Sequence, residues 1–170
     1  MKLFSATIVL SLTLLSGLQA QDYKYHPLFI YNFSKYIEWP ASQAQGDFVV
    51  CIVGNEQAYQ QMVSFSQKKK KIKNQNLVIK KCNTLNEIGK SNIIFVTKSA
   101  NISLREIEDK LDQSATLLIT EQQGMGRRGA HINFIAMTDS KIGFELNTTS
   151  TQNAGLKVAN SLAMLAAETY

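Results

Sequence analysis

The chain has 170 residues, 45% of them hydrophobic, and a formal net charge of +5, enough for one domain that buries roughly two-thirds of its unfolded surface. Much of the excess charge lies in Lys68 to Lys71, Lys73, Lys80 and Lys81. No aromatic residues interleave with these lysines to stack bases, which argues against nucleic acid, and the run reads as a solvated loop that can also attract an acidic partner or an anionic lipid surface.

Met1 to Ala20 opens with Lys2, continues through an apolar core from Leu3 to Leu15 and ends on a small residue. This is the pattern of a cleaved secretory signal peptide, and the apolar run is shorter than the roughly 20 residues that span a bilayer. The expected division is a signal peptide over residues 1–20 and a single α/β domain over residues 21–170. Tyr25, Phe29, Phe33, Tyr36 and Ile37 then recur at helical spacing, with Pro27 in the first turn and Pro40 as the stop. They predict a helix from Asp22 to Glu38 with an aromatic stripe toward the core. Tyr31, Tyr36 and Trp39 read as packing residues or as an aromatic cluster for a partner, with Lys35 beside them.

Phe48 to Gly54 is the organising stretch. Six apolar residues run without alternation to a glycine, as in a parallel strand covered on both faces. Asn55 is placed to cap a helix to Gln67. Asn76 to Cys82 alternates as a second strand, and Thr84 to Gly89 reads as a short capped helix. Asn92 to Thr97 and Ala115 to Thr120 repeat the buried-strand pattern, separated by a capping box at Ser103 and Glu106 that opens a helix to about Leu111. Alternating strands and helices predict a doubly wound, mostly parallel α/β sheet.

Gly124 to Gly129 spells G-x-G-x-x-G. The dinucleotide fingerprint must open a helix, whereas His131 to Ala136 alternates like a strand. The segment therefore reads as a glycine loop presenting Arg127 and Arg128, which suit a partner carboxylate or an anion. His131 to Ala136 and Lys141 to Asn147, joined through a turn containing Asp139, predict an antiparallel hairpin closing the sheet with Phe134 and Phe144 buried. Glu145 and Asn147 fall on its polar face as candidate partner-binding groups, with Glu145 pairing with a neighbouring basic group as the other reading. Leu156, Ala159, Leu162, Ala163 and Ala166 predict a long helix from Thr149 to Glu168.

The catalytic inventory is thin. His26 and His131 lie in different elements, and no metal-ligand cluster, nucleophile elbow or phosphate loop appears. No catalytic residue, metal or cofactor is expected. Cys51 and Cys82 fall on strands that would be neighbours. They form a disulfide if face and register agree, and otherwise remain thiols, with Cys51 acting as a small hydrophobe.

Phe29 to Pro40 resembles the aromatic "YNFAKFxEWP" opening of the YfiR family, and Cys51 to Asn55 is similar to its "CVxGxD" strand. Ile94-Phe95-Val96 and Leu118-Ile119-Thr120 match its later strands. Gly129 to Phe134, Phe144 to Asn147 and Gly155-Leu156-Lys157 follow the "GGxINF", "FExN" and "AGLK" landmarks in order. The chain departs in having Ala130 in the glycine pair, and in having Cys82 where the family's second cysteine stands nearer Ser91. The resemblance implies a periplasmic, non-enzymatic α/β regulator that represses an inner-membrane diguanylate cyclase. It also implies relief by an outer-membrane lipoprotein, dimer formation and redox-responsive disulfides. A histidine kinase sensor could stand in the cyclase's place as membrane partner, and a small-ligand or enzymatic domain using the strand-end crevice is the alternative function.

Overall fold

The computed structural model describes residues 23–111, 114–138 and 141–170. The signal-peptide expectation and Asp139 in the hairpin turn lie outside them. The elements run α1 (His26–Tyr36), β1 (Ile37–Glu38), β2 (Phe48–Val53), α2 (Glu56–Lys68), β3 (Lys71–Ile72), β4 (Gln75–Cys82), β5 (Ile93–Val96) and α3 (Leu104–Leu111). They continue with β6 (Leu117–Thr120), β7 (Ile132–Ala136), β8 (Ile142–Leu146), α4 (Thr148–Asn153), β9 (Lys157–Val158), α5 (Asn160–Ala163) and β10 (Glu168–Thr169). Among the described residues, eight strands form one sheet in the order β10-β8-β7-β6-β5-β2-β4-β3, and β1 pairs with β9 apart from it.

The sheet is mostly parallel. β2 lies between β4 and β5, parallel to both, and β5, β6 and β7 continue in the same direction. The unbroken apolar run of β2 is explained by its two coats. Phe48, Val50 and Ile52 join the core under α1 and α2, while Cys51 and Val53 join a second core with Ile107 of α3. Helices on both faces make the fold doubly wound, as the alternation of elements implied.

Local sequence sets the joints. The Asn55 side chain accepts a hydrogen bond from the Ala58 N–H at 3.1 Å and so caps α2. Before it, Gly54 has φ +103°, and a Cβ there would run into the Thr97 hydroxyl and the Ala100 backbone. Only glycine fits that turn. Ser103 and Glu106 form a reciprocal capping box: Ser103 N–H donates to the Glu106 carboxylate at 3.0 Å, and Glu106 N–H donates to the Ser103 hydroxyl at 3.3 Å. The expected helix at Thr84 is a single 3₁₀ turn over Leu85–Glu87 without a Thr84 side-chain cap.

Cys51 and Cys82 form a disulfide. Cys51 pairs in register with Lys80, and Cys82 is two residues further along β4. Both sulfurs therefore leave the sheet on the same face, with the Cα atoms 6.3 Å apart. That spacing lies in the range a disulfide requires.

The hairpin forms in the expected register, with Phe134 opposite Phe144 and Asn133 opposite Glu145. Both phenylalanines are buried under α1, where Phe33 meets Phe144 at 5.0 Å and Phe134 at 5.8 Å between ring centroids. Glu168–Thr169 then adds a short parallel strand beyond β8.

The C-terminal helix expected from Thr149 to Glu168 is not formed. The helix stops at Asn153, because Gly155 takes φ +73° and closes a Schellman turn. Gly155 N–H donates to Gln152 O at 2.9 Å, and Leu156 N–H donates to Thr151 O at 3.1 Å. The apolar positions that mimicked a helical stripe divide among the turns that flank β9, the one-turn α5 and the segment after it. Leu156 and Leu162 still reach the core.

Candidate functional site

The loop from Glu121 to His131 joins two parallel strands with no helix. It lies over the sheet face that carries Asn133 and Glu145, opposite the face of Phe134 and Phe144. Gly124 and Gly129 both take positive φ, and Gly126 lies so close to the Glu145 carboxylate and the Tyr170 ring that a Cβ would meet them at 2.6 and 3.1 Å. Gly126 lets the loop backbone approach a polar network in place of a phosphate. The segment leads into β7, not a helix, so the geometry of a dinucleotide fingerprint is absent here.

The network starts at the sheet and ends in solvent. The Thr120 hydroxyl donates to the Asn133 side-chain oxygen at 2.7 Å, and the Asn133 amide donates to Glu145 at 2.8 Å. The Tyr170 hydroxyl lies 3.2 Å from the other Glu145 oxygen and 2.6 Å from Glu168, so its one proton serves either carboxylate. Arg127 donates to Glu168 at 2.7 Å, and its guanidinium sits 4.9 Å from the centre of the Tyr170 ring. The hydrogen bond from Tyr170, reinforced by Arg127, holds the Glu168 carboxyl below its usual range. The hydrogen bonds to Tyr170 and Glu168 raise the Arg127 guanidinium.

Asn147 fixes this loop from below. Its amide donates to Gly126 O at 2.8 Å, and its oxygen accepts from Ser150 N–H at 2.8 Å, capping α4. It is buried, and both ends of its side chain are committed inside the fold. Glu145 is half-buried and likewise paired inward. Arg127 is exposed at the loop surface, and Arg128 is exposed, its side chain making no hydrogen bond or ion pair among the described residues. The structure thus brings Arg127, Glu145 and Asn147 into one assembly, with the two arginines as its solvent-facing part.

Lys35 and Trp39 stand elsewhere, on the α1 side of the sheet. The Lys35 ammonium lies 4.4 Å from the centre of the Tyr31 ring. Trp39 packs edge-on against Phe48 at 5.1 Å, and its indole N–H donates to Asn92 O at 3.3 Å. Tyr31 packs on Phe65 of α2 at 5.5 Å, while Tyr36 remains exposed.

Two titratable groupings escaped sequence reasoning. His26 is buried among Tyr23, Phe95 and Phe134, with Nε2 3.6 Å from a Glu121 oxygen. Glu121 also accepts from the Tyr23 hydroxyl at 2.7 Å and from Lys98 N–H at 2.6 Å. Burial, with Glu121 adding to it, pushes the Tyr23 phenol far above its ordinary range. Tyr23 and Glu121 are 98 residues apart, and no local pattern announces such a pairing. His131 is also buried. Its Nδ1 accepts from Leu118 N–H at 3.0 Å, and burial lowers its pKa to about 4 against the opposing effect of a hydrogen bond to the Thr116 backbone. It braces the start of β6.

A cleft of about 260 Å³ opens beside it, lined by Glu108, Ser114, Ser150 and Asn153 among others. Burial raises the Glu108 carboxyl, with Asp109 adding to the effect. Among the described residues, no group of three or more His, Cys, Asp or Glu side chains is placed to hold a metal ion. No described helix is long and apolar enough to cross a membrane.

The family model described as YfiR/HmsC-like matches residues 23–167. No curated protein matches the chain.

Proposed function

Because the chain belongs to the YfiR/HmsC-like family, we propose that it is a non-enzymatic regulator. It acts outside the inner membrane, binding the exported part of a membrane signalling protein, a diguanylate cyclase, and holding that enzyme inactive. The observation that carries this reading is the family match, which covers residues 23–167. The arginine loop supports it and supplies the contact. Arg127 is held in place by Glu168 and the Tyr170 ring, so part of the entropy cost of ordering it is already met within the fold. Arg128 beside it is free to take a carboxylate through two parallel hydrogen bonds.

The reading is tested by measuring binding of the protein to the exported region of a membrane cyclase or kinase encoded beside it. Arg127→Ala/Arg128→Ala should weaken binding by roughly thirtyfold, as for loss of about 2 kcal/mol at an interface anchor, with little change in melting temperature. Binding to a kinase sensor and not to a cyclase would change the partner and keep the role. Binding to neither would refute the role, and unchanged binding by the double variant would refute the site.

A further inference from the structure

The loop network leaves the opposite layer of the molecule unexplained. α1 buries His26, Pro27, Ile30, Phe33 and Ser34, and its far side leaves Tyr25, Leu28 and Tyr36 exposed. β9 runs antiparallel to β1, and Ala159 N–H donates to Tyr36 O at 2.9 Å. The chain after Ala159 therefore turns back alongside α1, and α5 packs on it. Met164 and Leu165 follow immediately, 85% and 66% exposed. Five large apolar side chains thus stand out from one layer, beyond the scatter of single exposed residues that needs no explanation.

The lysine run lies on the same layer. Ile72 anchors β3 in the core beneath α1 and α2, and β3 packs against α1. Lys68 to Lys71 and Lys73 are exposed around that anchor, Lys35 is exposed on α1 and Lys24 is exposed just before it. Between Tyr23 and Pro40 the single carboxylate is Glu38.

We propose that this α1 face docks on an anionic phospholipid surface, with Met164, Leu165, Leu28 and Tyr25 entering the headgroup boundary and the lysines meeting lipid phosphates. Apolar tips at one edge of a layer, with lysines on its helix and at its other edge, are features that hold a peripheral protein at such a surface. The choice of cation favours lipid over a protein partner. The three arginines of the chain, Arg105, Arg127 and Arg128, all lie on α3 or the glycine loop, and this face carries lysine alone. Lysine is a mobile point charge suited to headgroups of no fixed geometry, whereas a fixed carboxylate is better met by arginine. Two copies meeting through this face would set like charges against each other. The proposal is independent of the regulator reading: vesicle binding without sensor binding would keep it.

The test is flotation of the purified protein, expressed from the complete chain, with vesicles of phosphatidylcholine alone or with about 30% phosphatidylglycerol. Binding should be at least about tenfold stronger on the anionic vesicles and should weaken as salt is raised. Met164→Glu/Leu165→Glu and Lys70→Glu/Lys71→Glu should each reduce it about tenfold, with melting curves unchanged because these side chains are exposed. Arg127→Ala/Arg128→Ala should bind as the wild type does. No binding, equal binding to both vesicles, or wild-type binding by both charge-bearing variants would overturn the proposal. A dimer abolished by Met164→Glu/Leu165→Glu, with no vesicle binding, would overturn it in favour of an interface between copies.

Discussion

Acid should unfold this protein partly through His131. The imidazole is neutral in the fold because burial lowers its pKa from 6.5 to about 4. The unfolded chain binds a proton near pH 6.5, so between the two values the unfolded state holds more protons and stability rises with pH. The contribution is complete above about pH 6.5 and is lost as pH falls toward 4. The full gap at about 1.36 kcal/mol per unit amounts to about 3 kcal/mol, of which about 2 kcal/mol is lost by pH 5. His131→Asn isolates the effect. Its amide oxygen can accept from Leu118 N–H where Nδ1 now does, and it does not titrate. Denaturant melts of both proteins from about pH 7.5 to about pH 4.5 should show the wild type losing about 2 kcal/mol more than the variant, the carboxylates common to both cancelling. A difference constant within about 0.5 kcal/mol across that range would show that His131 is not held neutral by burial.

Phe144→Ala should destabilise by about 3–5 kcal/mol in denaturant melts, since Phe144 is 4% exposed between Phe33 and Phe134; a few tenths would mean that the hairpin register is wrong. Reduction of Cys51–Cys82, which closes a separation of 31 residues, should lower stability by about 3–4 kcal/mol on the chain-entropy model. Melts with and without reductant decide this, and coincident curves would show that the bond contributes nothing. Gly54→Ala should cost at least about 2 kcal/mol, because it combines a strained φ with a collision against Thr97 and Ala100; wild-type stability would refute the close approach.

What the sequence revealed, it revealed where local chemistry and tertiary packing agree. The continuous run of Phe48 to Val53, the Asn55 cap and the Ser103–Glu106 box each state a local geometry, and the structure keeps all three. Alternation at Ile142, Phe144 and Leu146 fixed the hairpin face, because a one-residue slip would expose every apolar side chain. The C-terminal region misled because Leu156, Ala159, Leu162 and Ala163 fall at helical spacing while serving separate turns of chain. Gly155 was the available signal for the stop. The candidate site was legible in part. The arginines of a glycine loop mark themselves by type and spacing. The supports of Arg127, Glu168 in β10 and Tyr170 just after it, lie far along the chain, with Glu168 at a separation of 41 residues, and only the pairing of β10 on β8 places them beside the loop. The inward commitment of Asn147 could not be read from a position on a polar face, since its partners are Gly126 and Ser150.

The proposed role is repression by contact outside the inner membrane. Its most direct test is deletion of the gene, followed by measurement of cellular cyclic di-GMP while the neighbouring membrane signalling protein is expressed, with kinase output read if that protein is a kinase. Output should rise on deletion and return on complementation with the wild-type chain. Unchanged output on deletion, with the neighbouring protein confirmed present, would contradict it.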